Sequence, residues 1–86
     1  MSVPRFNRGF RLRHDAVRDS WVVLAPERLF ALDEHAVEVL KLVDGQRSLD
    51  EIIGLLSQKY QAPAAEIASD VRSMLGDLVT KGAIQL

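Results

Sequence analysis

His14, His35 and the tripeptide Asp33-Glu34-His35 are the residues whose types suit proton transfer or metal ligation. A zinc site gathers histidines one helical turn apart, or thiolates beside imidazoles, on a single point. His14 falls in a strand pattern and His35 at a helix start, no His-x-x-x-His pair exists, and the chain has no cysteine. Consecutive helical residues point in different directions, so Asp33 and Glu34 read as a helix cap and dipole compensation rather than a ligand set. No Gly-x-Ser-x-Gly elbow and no phosphate-cradling loop is present, because Gly9, Gly45, Gly54, Gly76 and Gly82 are scattered singly. The sequence predicts a chain that is not an enzyme, with no catalytic residue, no metal and no cofactor. What remains is main-chain chemistry: Leu29, Phe30, Ala31 and Leu32, a charge-free strand after Arg28, whose edge would offer N–H and C=O groups to another chain.

Positioning that strand requires a sheet. Phe10-Arg-Leu-Arg-His14 alternates apolar and basic residues at the period of a half-buried strand. Asp15 to Ser20 has turn chemistry, and Trp21-Val-Val-Leu-Ala25, rich in β-branched and aromatic residues, reads as the central strand. Pro26-Glu27 breaks the run, and Arg28 to Leu32 resumes it as a third strand. Asp33 then caps a helix expected over Glu34 to Val43, stopped by Asp44-Gly45. Ser48-Leu-Asp-Glu51 is a capping box and opens a second helix with the stripe Leu49, Ile52, Ile53, Leu56 and Tyr60. Pro63 opens a third, whose stripe runs through Ala64, Ile67, Val71, Met74, Leu75 and Leu78 until Gly82 ends it. Ala83 to Leu86 form a tail expected beside the sheet. The predicted class is α+β, winged helix-turn-helix-like: a three-stranded antiparallel sheet followed by three helices.

At this length one domain forms, and it buries only about 60 to 65% of the surface of the unfolded chain. A composition of 48% apolar and 27% charged residues argues for a globular fold over disorder. No apolar run approaches the roughly 18 residues of a membrane span. Without a secretory signal at Met1 to Arg5, a cytoplasmic location and no membrane partner are expected. The net charge of −1 conceals an asymmetry, with five arginines against Asp15 alone up to Arg18, then six basic against eleven acidic residues from Asp19 onward. Residues 1–8 are expected as a flexible basic arm on a domain spanning 9–86.

A winged helix invites the reading of a DNA-binding regulator through Arg5, Arg8, Arg11 and Arg13. Its third helix would have to reach base edges with basic or amide side chains, yet it opens with Ala64, Ala65, Glu66, Ser69 and Asp70. With a pI near 6.1, the expectation is no nucleic acid. The edges of the sheet differ as well: Arg11 and Arg13 guard the first strand, whereas the third carries only Arg28 at its start. Strand addition by a guest peptide is the favoured use of the third edge. The competing possibility is that a helix or Ile84 to Leu86 already covers it. The same edge would also permit a weak or strand-exchanged homodimer in place of a monomer.

Arg11-Leu-Arg-His-Asp15, Val22-Val-Leu-Ala-Pro-Glu27, Leu32-Asp-Glu-His-Ala36, Leu40-Lys-Leu-Val-Asp-Gly45 and the helix from Ser48 to Tyr60, in this order and spacing, resemble the PqqD family. The likeness runs from Pro4 to Leu86. It implies a peptide chaperone of pyrroloquinoline quinone biosynthesis that binds the precursor PqqA and presents it to the radical SAM enzyme PqqE, with no chemistry of its own. Related recognition domains of other modified-peptide pathways, the alternative assignment, hold a leader peptide beside the third strand and against the third helix. Carried over, the peptide would lie on Arg28, Leu29, Phe30, Ala31 and Leu32, with Asp70, Val71, Met74 and Leu75 as the helical wall. Val71, Met74 and Leu75 also belong to the expected core stripe, and Arg28 would pair with a carboxylate of an acidic guest.

Overall fold

The computed structural model describes residues 2–26 and 29–86. Strands β1 (Arg5–Phe6), β2 (Arg11–Asp15), β3 (Ser20–Leu24) and β4 (Leu29–Ala31) precede helices α1 (Glu34–Leu40), α2 (Leu49–Tyr60) and α3 (Ala64–Thr80), and β5 (Ile84–Gln85) ends the chain. β2, β3 and β4 form an antiparallel meander with β3 central, and β1 pairs with β5 in a separate two-stranded ladder. The α+β meander followed by three helices is as the sequence predicts.

Local chemistry accounts for the elements. In the β2–β3 turn the Asp15 carboxylate accepts from the amides of Val17 and Arg18 at 3.0 and 3.3 Å. Leu12, Val23 and Phe30 face one another across the three strands, and this face turns toward the helices, with Val23 fully buried and Leu12 and Phe30 packed against the core. Asp33 caps α1 by accepting from the Ala36 amide at 2.8 Å. The Ser48 hydroxyl oxygen accepts from the Glu51 amide at 3.1 Å. The reciprocal bond from the Ser48 amide to Glu51 does not form among the described residues, and nearby the Leu49 amide donates to the carbonyl of Ser2 at 2.8 Å. α3 closes with Gly82 at φ +80, its amide on the Val79 carbonyl while that of Ala83 reaches Leu78 at 2.9 Å, the two bonds of a Schellman motif that only a left-handed residue permits.

The core is formed by one face of each helix. Leu49, Ile52, Ile53 and Leu56 of α2 and Val71, Leu75 and Leu78 of α3 meet Val39 and Leu40 of α1, with Ile84 beneath them. Tyr60, expected on the α2 stripe, stands 40% exposed instead, and Ala64 at the start of α3 is exposed.

Three expectations are corrected. α1 stops at Leu40, because the chain tightens into shorter turns in which the amides of Leu42 and Val43 donate to Val39 and Leu40 before Asp44 receives those of Gln46 and Arg47. Within residues 1–8, expected as a flexible arm, Arg5 and Phe6 pair with Gln85 and Ile84, the Asn7 amide donates to Ala83, and Pro4 is fully buried. Apolar Pro4 and Phe6 find cover there that water denies them, and the ladder supplies the hydrogen bonds. The tail, expected beside the main sheet, thereby joins β1 and not β4.

Two stability measurements follow. Ser48→Ala should cost about 1 kcal/mol through loss of the cap, which in a domain of this size lowers Tm by about 4–8 °C. Deletion of residues 2–6 should lower Tm as well, since it uncovers Ile84 and removes a ladder; a freely moving arm would leave the thermal melt unchanged.

Candidate functional site

Because β3 pairs with only one side of β4, the far side of β4 meets no other strand among the described residues. On its core face β4 approaches the end of α3. The ammonium of Lys81 sits 5.4 Å from the centre of the Phe30 ring, at the α3 C-terminus. Two residues past the strand, Asp33 lines the same cavity as Asp70 and Met74, which lie earlier on α3. β4 itself contributes no residue to that cavity, which lies past the end of the strand and is reached from it through Asp33.

The cavity encloses about 440 Å³. Its floor is apolar and comes from all three helices: Ala36 and Val39 of α1, Leu56 of α2, and Ile67, Val71 and Met74 of α3. Asp33, His35, Tyr60 and Asp70 complete the lining and are exposed, which gives an apolar floor under a polar rim. Such a site accepts an aliphatic or aromatic side chain and orients it by a few polar groups. It offers no nucleophile and base in register, and no group of three or more potential metal ligands occurs among the described residues.

A second depression of about 570 Å³ adjoins the first, lined among others by Trp21, Leu32, Glu38, Lys41 and Lys59. His35 and Tyr60 line both, their rings edge-on with centres 6.0 Å apart, so this pair forms the ridge between them. The second depression is charged. Lys41 lies over the Trp21 ring at 4.8 Å, and the Lys59 ammonium donates to the Glu38 carboxylate. That hydrogen bond holds the Glu38 carboxyl below the usual glutamate range and raises the Lys59 ammonium above its own.

The positions singled out in sequence are distributed unevenly. Asp70, Val71 and Met74 line the first cavity. Leu75 does not: with no accessible surface it belongs to the core, and a guest would reach it only by displacing neighbours. Leu29, Phe30 and Ala31 form β4, and Leu32 lines the second depression. Arg28 lies outside the described residues. The sequence did not assign Asp33, His35, Ala36, Val39, Leu56, Tyr60 or Ile67 to the site, and Tyr60 stood out there only as the last residue of the α2 stripe.

Known proteins share this fold. The profile of the family described as "Coenzyme PQQ synthesis protein D (PqqD)" matches residues 20–84. A "PqqA binding protein" of Rhodopseudomonas palustris (strain BisB5) is 52% identical over 81 residues, covering 94% of this chain and 79% of that protein. The solution NMR structure of the PqqD truncation of Methylobacterium extorquens PqqCD, described as a functional and stand-alone recognition element for ribosomally synthesized and post-translationally modified peptides, is 49% identical. It superposes with a TM-score of 0.82 over 98% of this chain and 89% of that one. A lasso peptide synthetase B1 complexed with its leader peptide reaches the same TM-score of 0.82 at 13% identity, over 99% of this chain and 100% of that one, and so shares the fold.

The Glu38–Lys59 pair makes a titration test of the second depression. Because the folded-state pKa of Glu38 is lowered, the contribution of the pair is complete above the ordinary glutamate range and is lost as pH falls through that lowered value. Side-chain carboxyl NMR should place the Glu38 midpoint below that of a free glutamate, and Lys59→Met should bring it most of the way back.

Proposed function

This chain belongs to the PqqD family, and we propose that it captures the precursor peptide PqqA as a strand added to β4 and presents it to the radical SAM enzyme PqqE. Relatives that share half its residues are named for binding PqqA. The single observation that carries the mode of capture is the coincidence of an unextended strand edge with an apolar cavity among the three helices, whose rim includes Asp33 two residues past that strand. Main-chain pairing along Leu29, Phe30, Ala31 and Leu32 holds the peptide, while side chains on one of its faces turn toward Ile67, Val71 and Met74. Asp70 and Asp33 at the rim, and Arg28 before the strand, are the charged groups that orient it. The chain positions the peptide and leaves the chemistry to its partner.

Strand addition suits such a task physically. Backbone pairing is indifferent to sequence, so one edge holds an extended segment whatever its side chains, and the cavity supplies selection. Binding at one segment leaves the rest of a short precursor free to enter an enzyme. The edge and the cavity belong to elements tied to one core, so the site exists before the guest arrives and little ordering cost falls on the protein.

Titration of unlabelled PqqA into the isotopically labelled chain should shift the amides of 29–32 and those of Ala36, Asp70, Val71 and Met74 most strongly. A response confined to Arg5, Arg8, Arg11 and Arg13 would refute this site. Met74→Glu places a charge in the apolar floor at a half-buried position. Losing burial of one apolar side chain, about 1.5 kcal/mol or more, should weaken PqqA binding by roughly tenfold while the thermal melt stays cooperative.

A further inference from the structure

The face of the main sheet that turns away from the helices is fixed by register. Arg11, Leu24 and Leu29 stand opposite one another across the three strands, as do Arg13, Val22 and Ala31. Since the alternate row of Leu12, Val23 and Phe30 packs on the core, these six point outward. Arg11, Arg13 and Ala31 are exposed, Leu29 is 47% exposed, and Val22, although buried in the central strand, lies outside the core cluster. Neither arginine forms an ion pair among the described residues, nor do the exposed Arg5 and Arg8 that precede them. No other part of this sheet combines free cations with uncovered aliphatic surface.

A guest strand added to β4 would extend this face by one more row. Side chains alternate along a strand, so half of the guest's would turn to the cavity side and half outward, beside Leu29 and Ala31. Resting on the reading of function above, we propose that the outer sheet face, with Arg11 and Arg13 at one border and the captured peptide at the other, is a composite docking surface for an acidic region of the peptide-modifying enzyme. Such a surface is complete only when the peptide is bound, which makes the enzyme's affinity depend on loading. The cations would steer and orient the enzyme, and the aliphatic strip of Leu24, Leu29 and Ala31 would be dehydrated on contact. Protein is favoured over nucleic acid as the occupant because this strip carries no aromatic ring for a base to stack on. The remainder of the chain is also acidic, with eleven carboxylates against six cations from Asp19 onward.

The test titrates PqqE against the full chain, with and without saturating PqqA, at low and physiological salt, and repeats the series with the double variant R11E/R13E. The expected result is that PqqA strengthens enzyme binding to the unaltered chain, that salt weakens it, and that charge reversal weakens it by roughly tenfold or more with PqqA affinity unchanged. Equal enzyme binding by the double variant overturns the proposal, as does binding indifferent to PqqA or no binding at all. Loss of PqqA binding in the double variant, or retardation of a DNA duplex through these arginines with enzyme binding unaffected, overturns it too. Failure of PqqA to bind the unaltered chain would instead remove the reading of function itself, and that arm needs no enzyme.

Discussion

Antiparallel pairing of Arg5–Phe6 with Ile84–Gln85 is the contact on which the accessible architecture depends. A chain of this size with an exposed sheet edge and an apolar terminus nearby would ordinarily cover one with the other. Here the terminus is committed elsewhere: Ile84 is buried against α2 and α3, and its backbone is satisfied by β1. Ser2, through its carbonyl on the Leu49 amide, fastens the same segment to the first turn of α2. Both chain ends are thus gathered under the helices, and the outer edge of β4 pairs with no strand among the described residues. An N-terminal segment that looks like a solvated appendage by charge is therefore part of what leaves the site open.

Much of the fold was legible because its determinants are local. The alternation from Phe10 to His14, the β-branched run at Val22-Val23, the Ser48 cap and the glycine at 82 each specify an element without reference to the rest of the chain. β1 and β5 were not legible, because two residues carry no period and their pairing joins opposite ends of the chain. The early stop of α1 was hidden for a related reason. Val43 continues the apolar spacing and is buried, yet it reaches the core from a turn rather than from the helix.

The candidate site divides in the same way. Asp70, Val71 and Met74 were assigned from family resemblance, while periodicity read Val71 and Met74 as core, and the structure sets all three around one cavity. Leu75, the residue after Met74, faces inward, because a single step along the helix rotates the side chain by about 100° and turns it from the cavity to the core. The contribution of α1 and α2 is a product of packing alone. No spacing in the sequence announces that Ala36, Val39 and Leu56 line one cavity with Met74.

β4 spans three residues, and in an edge strand alternate residues direct their amide and carbonyl outward. A polypeptide that lies along so brief a ladder gains few main-chain bonds, and a slide of two residues restores every one of them with the same side chains facing the same way. Alignment of a bound segment cannot then be fixed by the backbone. Under the proposed mode of capture it would fall to whichever residue fits the hollow lined by Asp33 and Asp70, so a sequence with two similar anchors spaced by two would be held in a mixture of frames, and a sequence with one would be held in a single frame.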